Sequence, residues 1–119
     1  MFSYHDACEY LLQEFPELSD HADLDMDLPY ITYAIVFVPF IRECFHRSQP
    51  DTIKRIFSFL EEMANSEQPV QNLLQAGILE AFWEDPQLYA DACAEMLEKT
   101  KSINDSISSY LEHPTEKTE

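Results

Sequence analysis

The sequence predicts an all-α domain, a compact bundle of about five helices, on three observations. Apolar residues recur at i, i+3 or i+4, and i+7 through most of the chain, which is the helical period. The 119 residues include one glycine against seven prolines, so the tight hairpins of a sheet have little to turn on. Most prolines fall near the first turn of a helical pattern, where a missing N–H costs nothing.

Helix one spans about 4–15 behind Ser3 as its cap, with Ala7, Cys8, Leu11, Leu12 and Phe15 on one face. Pro16 ends it, because the residue before a proline is pushed out of the helical region. Leu18 to Asp27 reads as an acidic connector. Helix two starts at Leu28 or Pro29 and extends to about His46. Its first half is apolar on every side, which implies burial all round, and Pro39 should kink or break it.

Helix three follows Ser48-Gln49-Pro50-Asp51 and turns Ile53, Ile56, Phe57, Leu60 and Met63 inward. Asn65-Ser66 and Pro69 mark the next boundary. Helix four carries Val70, Leu73, Leu74, Ile78 and Phe82, with Gly77 offering room for a close helix contact. Asp85-Pro86 is an N-cap and N1 pair that opens helix five. From there Leu88, Tyr89, Ala92, Cys93, Met96, Leu97, Ile103, Ile107 and Tyr110 hold one face over about 25 residues. From helix two onward the order also suits antiparallel pairs of HEAT-like type. Residues 1–112 are expected to form one domain, and 113–119 a frayed tail.

Charge narrows the function. The chain has 23 acidic and 7 basic side chains, a formal charge of −16, yet it is 45% hydrophobic, enough for a core. Such a surface repels nucleic-acid phosphates and anionic membranes. The longest apolar stretch, Tyr30 to Ile41, is shorter than the roughly 18–20 residues needed to span a bilayer. No basic region or apolar run opens the chain, so no signal peptide is expected. Cys8, Cys44 and Cys93 are odd in number and widely spaced, which suits buried thiols in a reducing cytoplasm.

The acid is unevenly spread. Residues 1–41 hold eight carboxylates and 56–98 hold nine, both without Lys or Arg, and a short basic stretch lies between them. Glu95 with Lys99, and Glu98 with Lys101, have the spacing of helical ion pairs. Unquenched acid is expected at Asp20, Asp23, Asp25 and Asp27, then at Glu61, Glu62, Glu67, Glu80, Glu84 and Asp85. A basic protein would complement that field. Trp83, between Phe82 and Glu84, suits either an aromatic anchor beside the acid or a core-boundary residue.

Catalytic and metal patterns are absent. Asp23-Leu24-Asp25-Met26-Asp27 imitates the start of a calcium loop, but Leu28 stands where glycine belongs and Ala34 where the closing glutamate belongs. His5, His21, His46 and His113 are isolated, and the adjacent Glu61 and Glu62 diverge by about 100° on a helix. No metal, cofactor or catalytic residue is expected, and the chain does not read as an enzyme.

Three segments carry a resemblance: Leu11-Leu12-Gln13-Glu14-Phe15-Pro16-Glu17-Leu18, Arg55-Ile56-Phe57-Ser58-Phe59-Leu60-Glu61-Glu62-Met63-Ala64-Asn65-Ser66, and Val70-Gln71-Asn72-Leu73-Leu74-Gln75-Ala76-Gly77-Ile78-Leu79-Glu80. Together they resemble small acidic helical proteins of bacterial polymorphic toxin systems, among them immunity proteins of contact-dependent growth inhibition. The resemblance implies a cytoplasmic antidote in one-to-one complex with a basic nuclease toxin domain, an RNase. It assigns no residue roles. From the charge pattern, the expected partner-binding residues are Asp23, Asp25, Asp27, Glu80, Trp83, Glu84 and Asp85. A DNA-mimic inhibitor of a nucleic-acid-binding protein, and a HEAT-like adaptor with an apolar groove, are the alternatives.

Overall fold

Proline placement explains where the helices begin. The computed structural model describes residues 2–21 and 24–112, the last five of these as backbone alone. A 3₁₀ turn, Tyr4–Asp6, leads into α1 (Ala7–Glu14), which stops at Phe15 before Pro16. A second 3₁₀ turn, Pro16–Leu18, begins the connector. The segments Pro29–Thr32, Tyr33–Phe37 and Val38–His46 run on without a break as α2 (residues 29–46). Then come α3 (Pro50–Ala64) and α4 (residues 68–83), the latter built from Gln68–Leu74, Gln75–Leu79 and Glu80–Trp83. Last are α5 (Pro86–Glu95) and α6 (Glu98–Glu112). The architecture is all-α, and no strand occurs among the described residues.

Pro39 neither breaks nor ends α2. Just ahead of it, Tyr33–Phe37 widens into a π turn closed by the Val38 N–H on the Tyr33 carbonyl. A wide turn at that level relieves the clash between a proline ring and the preceding turn's carbonyl. A matching π turn, Gln75–Leu79, interrupts α4. The two pack together at buried Gly77, where a Cβ would lie 3.6 Å from Tyr33 Cβ and 3.2 Å from Leu73 Cδ1. The glycine thus provides the close approach that its position suggests.

The α2–α3 corner is a Schellman-type stop. Ser48 adopts φ 52°, its N–H donates to the Phe45 carbonyl, and the Gln49 N–H donates to Cys44. Central α3 packs on α2, α4, α5 and α6. Its Phe59 meets the rings of Phe2, Phe15, Phe37 and Tyr33 at centroid distances of 5.2, 5.6, 5.7 and 6.4 Å. Ile56, Leu60 and Met63 complete the inward face.

The expected fifth helix is two helices, and the reason lies on α3. Met96 is extended (ψ 134°), which ends α5. The Glu61 carboxylate then accepts the first-turn N–H groups of α6, from Lys99 and Thr100, and the Thr100 hydroxyl, each at 2.9 Å. A side chain from another helix therefore supplies the N-cap. The break leaves Leu97 exposed rather than inward. It also separates Glu95 from Lys99, and neither that pair nor Glu98 with Lys101 forms; the ion pairs among the described residues are Arg42–Asp85, Arg47–Glu43 and Arg55–Glu14. No helix is long and apolar enough to cross a membrane among the described residues. The expected tail, 113–119, lies outside those residues.

Candidate protein-binding surface

The connector and the start of α2 are tied down by backbone bonds around one residue. Buried Thr32 donates its hydroxyl to the Asp25 carbonyl at 2.6 Å and accepts the Asp25 N–H at 2.9 Å. The Asp27 N–H donates to Asp25 Oδ1 at 3.0 Å, an Asx turn that leaves the Asp27 side chain exposed. The Cys8 thiol, its pKa raised by burial, donates to the same Asp25 carbonyl from α1. Next in sequence, Tyr33 is fully buried and donates its hydroxyl to Ala7 at 2.7 Å; burial pushes its ionisation far up. These bonds anchor the inner side of the segment, so its outer side is held in a fixed position.

That outer side is apolar, against the expectation of burial all round. Met26, Leu28, Tyr30, Ile31 and Ile35 are 45, 48, 38, 46 and 49% exposed, whereas Thr32, Tyr33, Val36 and Phe37 beneath them are sealed. Leu28, at the cap of α2, and Ile31 and Ile35 within it are spaced i, i+3 and i+7. The helix start has neighbours on one side only, so an all-apolar composition leaves half of it uncovered. In the turn that leads into this stripe, Asp27 is exposed and Asp25 half-buried. The alternation Asp-Leu-Asp-Met-Asp-Leu over 23–28 is the sequence signal that could have marked a surface, since burial does not tolerate unpaired carboxylates.

The residues expected to bind a partner are not gathered in one place. Asp25 and Asp27 share the connector turn, and Asp23 lies outside the described residues. Glu80, Trp83 and Glu84 line an open groove of about 580 Å³ between α4 and α6, facing Ile103, Ser106 and Ile107. No residue of the connector or α2 lines it. Trp83 is half-buried, with its ring 4.6 Å from that of Tyr89; its indole N–H is buried with no hydrogen-bond partner among the described residues. Asn104 stands nearby in the chain of contacts, donating to the Tyr89 hydroxyl at 2.9 Å.

Asp85 is committed internally. Its Oδ1 accepts the Leu88 N–H at 3.2 Å, capping α5, and its Oδ2 accepts Arg42 Nε at 3.0 Å. Those bonds, the Leu88 amide first, hold its carboxyl below the usual aspartate range. Glu61, expected as free acid, is the α6 cap, and Glu67 accepts the Tyr4 N–H at 3.1 Å. All three arginines of the chain are paired within it: Arg42 with Asp85, Arg47 with Glu43, and Arg55 with Glu14 while lying 4.9 Å over the Phe15 ring.

Residues 8–111 match a family described as a domain of unknown function, DUF7674. The chain belongs to that family. No curated protein and no solved structure matches it. As a DUF7674 domain it presents two distinct surfaces with acidic borders: the apolar stripe of the connector and α2, and the α4–α6 groove.

Proposed function

We propose that this DUF7674 domain is a stoichiometric binder of a basic protein, acting in the cytoplasm as the antidote to a nuclease toxin, an RNase, of a polymorphic toxin or contact-dependent growth inhibition system. The observation that carries this reading is the charge imbalance, 23 acidic against 7 basic side chains, with all three arginines already held in ion pairs within the chain. A chain of net −16 carries a large carboxylate excess, whichever of its charges pair with one another. Such a field accelerates encounter with a cationic partner and discriminates against the rest. A nuclease domain that grips phosphate is basic, so it is a natural complement.

Co-expression with candidate basic RNase toxin domains, any encoded beside this gene first among them, tests the reading. The expected result is restored growth and a one-to-one complex in which the nuclease is silent. Full nuclease activity in the presence of excess chain would overturn it. Replacing Asp20 and Asp27 together by lysine should slow association and flatten its dependence on salt. An association rate indifferent to both the substitutions and the salt would remove the electrostatic part.

A second reading, a helical adaptor of HEAT-like design that docks a partner through an apolar face, is favoured by the exposed line Leu28, Ile31 and Ile35. An adaptor would bind its partner without silencing an activity, so the nuclease assay separates the two.

A further inference from the structure

We infer that the connector and α2 form the docking surface, and that its occupant is a basic amphipathic helix: an aliphatic row seated on Leu28, Ile31 and Ile35, flanked by Lys or Arg facing Asp25 and Asp27. The inference rests on the reading of this chain as a binder of basic protein, and goes further by placing the contact and stating its chemistry.

Area and charge decide the occupant. Five large apolar side chains of the connector and the start of α2, each almost half exposed, present on the order of 400 Å² between them. That is about half of what one side of a standard interface buries, so the acidic rim must supply the remainder. A second copy does not fit. Two stripes face to face would bury on the order of 800 Å² in total, below what a stable dimer needs, while bringing like carboxylates together around the edge. An anionic membrane is repelled by the same rim. A cationic helix satisfies both parts: its aliphatic row covers the stripe, and its basic flanks lie opposite the aspartates.

The shape of the surface points to a helix. Leu28, Ile31 and Ile35 form a ridge about 10 Å long, of the kind that seats in the groove of a neighbouring helix. The ridge is rigid on its inner side, where Thr32 is bonded to Asp25 and Tyr33 to Ala7. Little ordering is therefore needed on docking. The α4–α6 groove has a different character, with the amides of Gln68, Gln71 and Gln75 on its wall and no aliphatic ridge on α4. Glu80, Trp83 and Glu84 accordingly lie outside this contact.

The test uses the full chain and a synthetic 18-residue peptide of leucine and lysine patterned as an amphipathic helix. A scrambled peptide of equal composition serves as the comparison, with affinities read by calorimetry at physiological salt. The patterned peptide is expected to bind at least about tenfold more tightly than the scrambled one. The double substitution Ile31→Ser with Ile35→Ser, both exposed and so compatible with folding, should weaken binding by at least about tenfold, whereas Glu80→Gln with Glu84→Gln should leave it unchanged. Equal binding of the two peptides, no binding of the patterned one, or indifference to the isoleucine substitutions overturns the inference. So does a dimer of the unmodified chain in sedimentation that the isoleucine substitutions dissolve. Neutralisation of the toxin by the Ile31→Ser, Ile35→Ser chain would remove this surface while leaving the antidote role intact. A toxin that ignores even the unmodified chain would remove the antidote role and leave the peptide result standing.

Discussion

Replacing Glu61 should loosen the last helix of the molecule, in a pH-dependent manner. Its carboxylate accepts three hydrogen bonds of 2.9 Å, from the N–H groups of Lys99 and Thr100 and from the Thr100 hydroxyl. An ordinary N-cap contributes about 1 kcal/mol, and a bond to an ionised group more than a neutral one. Against this, Lys99 is exposed and its freed amide finds water, while Thr100 is fully buried and its groups do not. The net cost of Glu61→Ala is then about 2 kcal/mol, or a fall in melting temperature of roughly 6–12 °C for a chain this size. Burial raises the Glu61 pKa, but the bonds from Thr100, Lys99 and Asn65 together outweigh it and bring it below the ordinary 4.5. A folded pKa below the unfolded one means that the stabilisation is fully present above pH 4.5 and fades as the pH falls through the folded value. Denaturant unfolding of the wild type and Glu61→Ala, followed by circular dichroism from pH 7 down to 3, checks this. Hydrogen exchange should show Lys99 and Thr100 amides losing protection first. A stability difference that is the same at pH 3 and pH 7, or below about 0.5 kcal/mol throughout, would refute the capping argument.

Phe59→Ala should cost about 3–5 kcal/mol in denaturant unfolding, because four aromatic rings converge on that side chain and cannot all close the space. Ser48→Gly should raise stability by about 0.5–1 kcal/mol, since φ 52° strains a residue with a Cβ and glycine adopts it freely; thermal melting reads the gain.

What the sequence made visible was local chemistry. Pro29, Pro50, Pro69 and Pro86 each stand in the first two positions of a helical segment, and Asp85 with Pro86 shows its cap directly, because those effects act within one turn. The break between α5 and α6 was hidden, since the cap that stabilises it comes from Glu61, 38 positions before Lys99. Asp85 looked available for the same reason: Arg42 is 43 positions away. The exposed side of α2 was misjudged because Tyr30, Ile31, Ile35 and their buried neighbours have the same hydropathy. Which half of such a helix meets the core depends on how many helices pack around it, and periodicity does not record that.

The π turn at Tyr33–Phe37 makes α2 a helix with a built-in phase shift. One extra residue in a turn rotates everything on its N-terminal side by about 100° relative to everything beyond it. Ile41 and Cys44 can then keep to the core while Leu28 and Ile31 hold their outward bearing. Deleting Ala34 would remove the offset without changing any side chain of the stripe. The chain would keep its charge and lose the direction in which its apolar ridge points. The bearing of that ridge is thus recorded in the length of one turn rather than in the identity of the residues that form it.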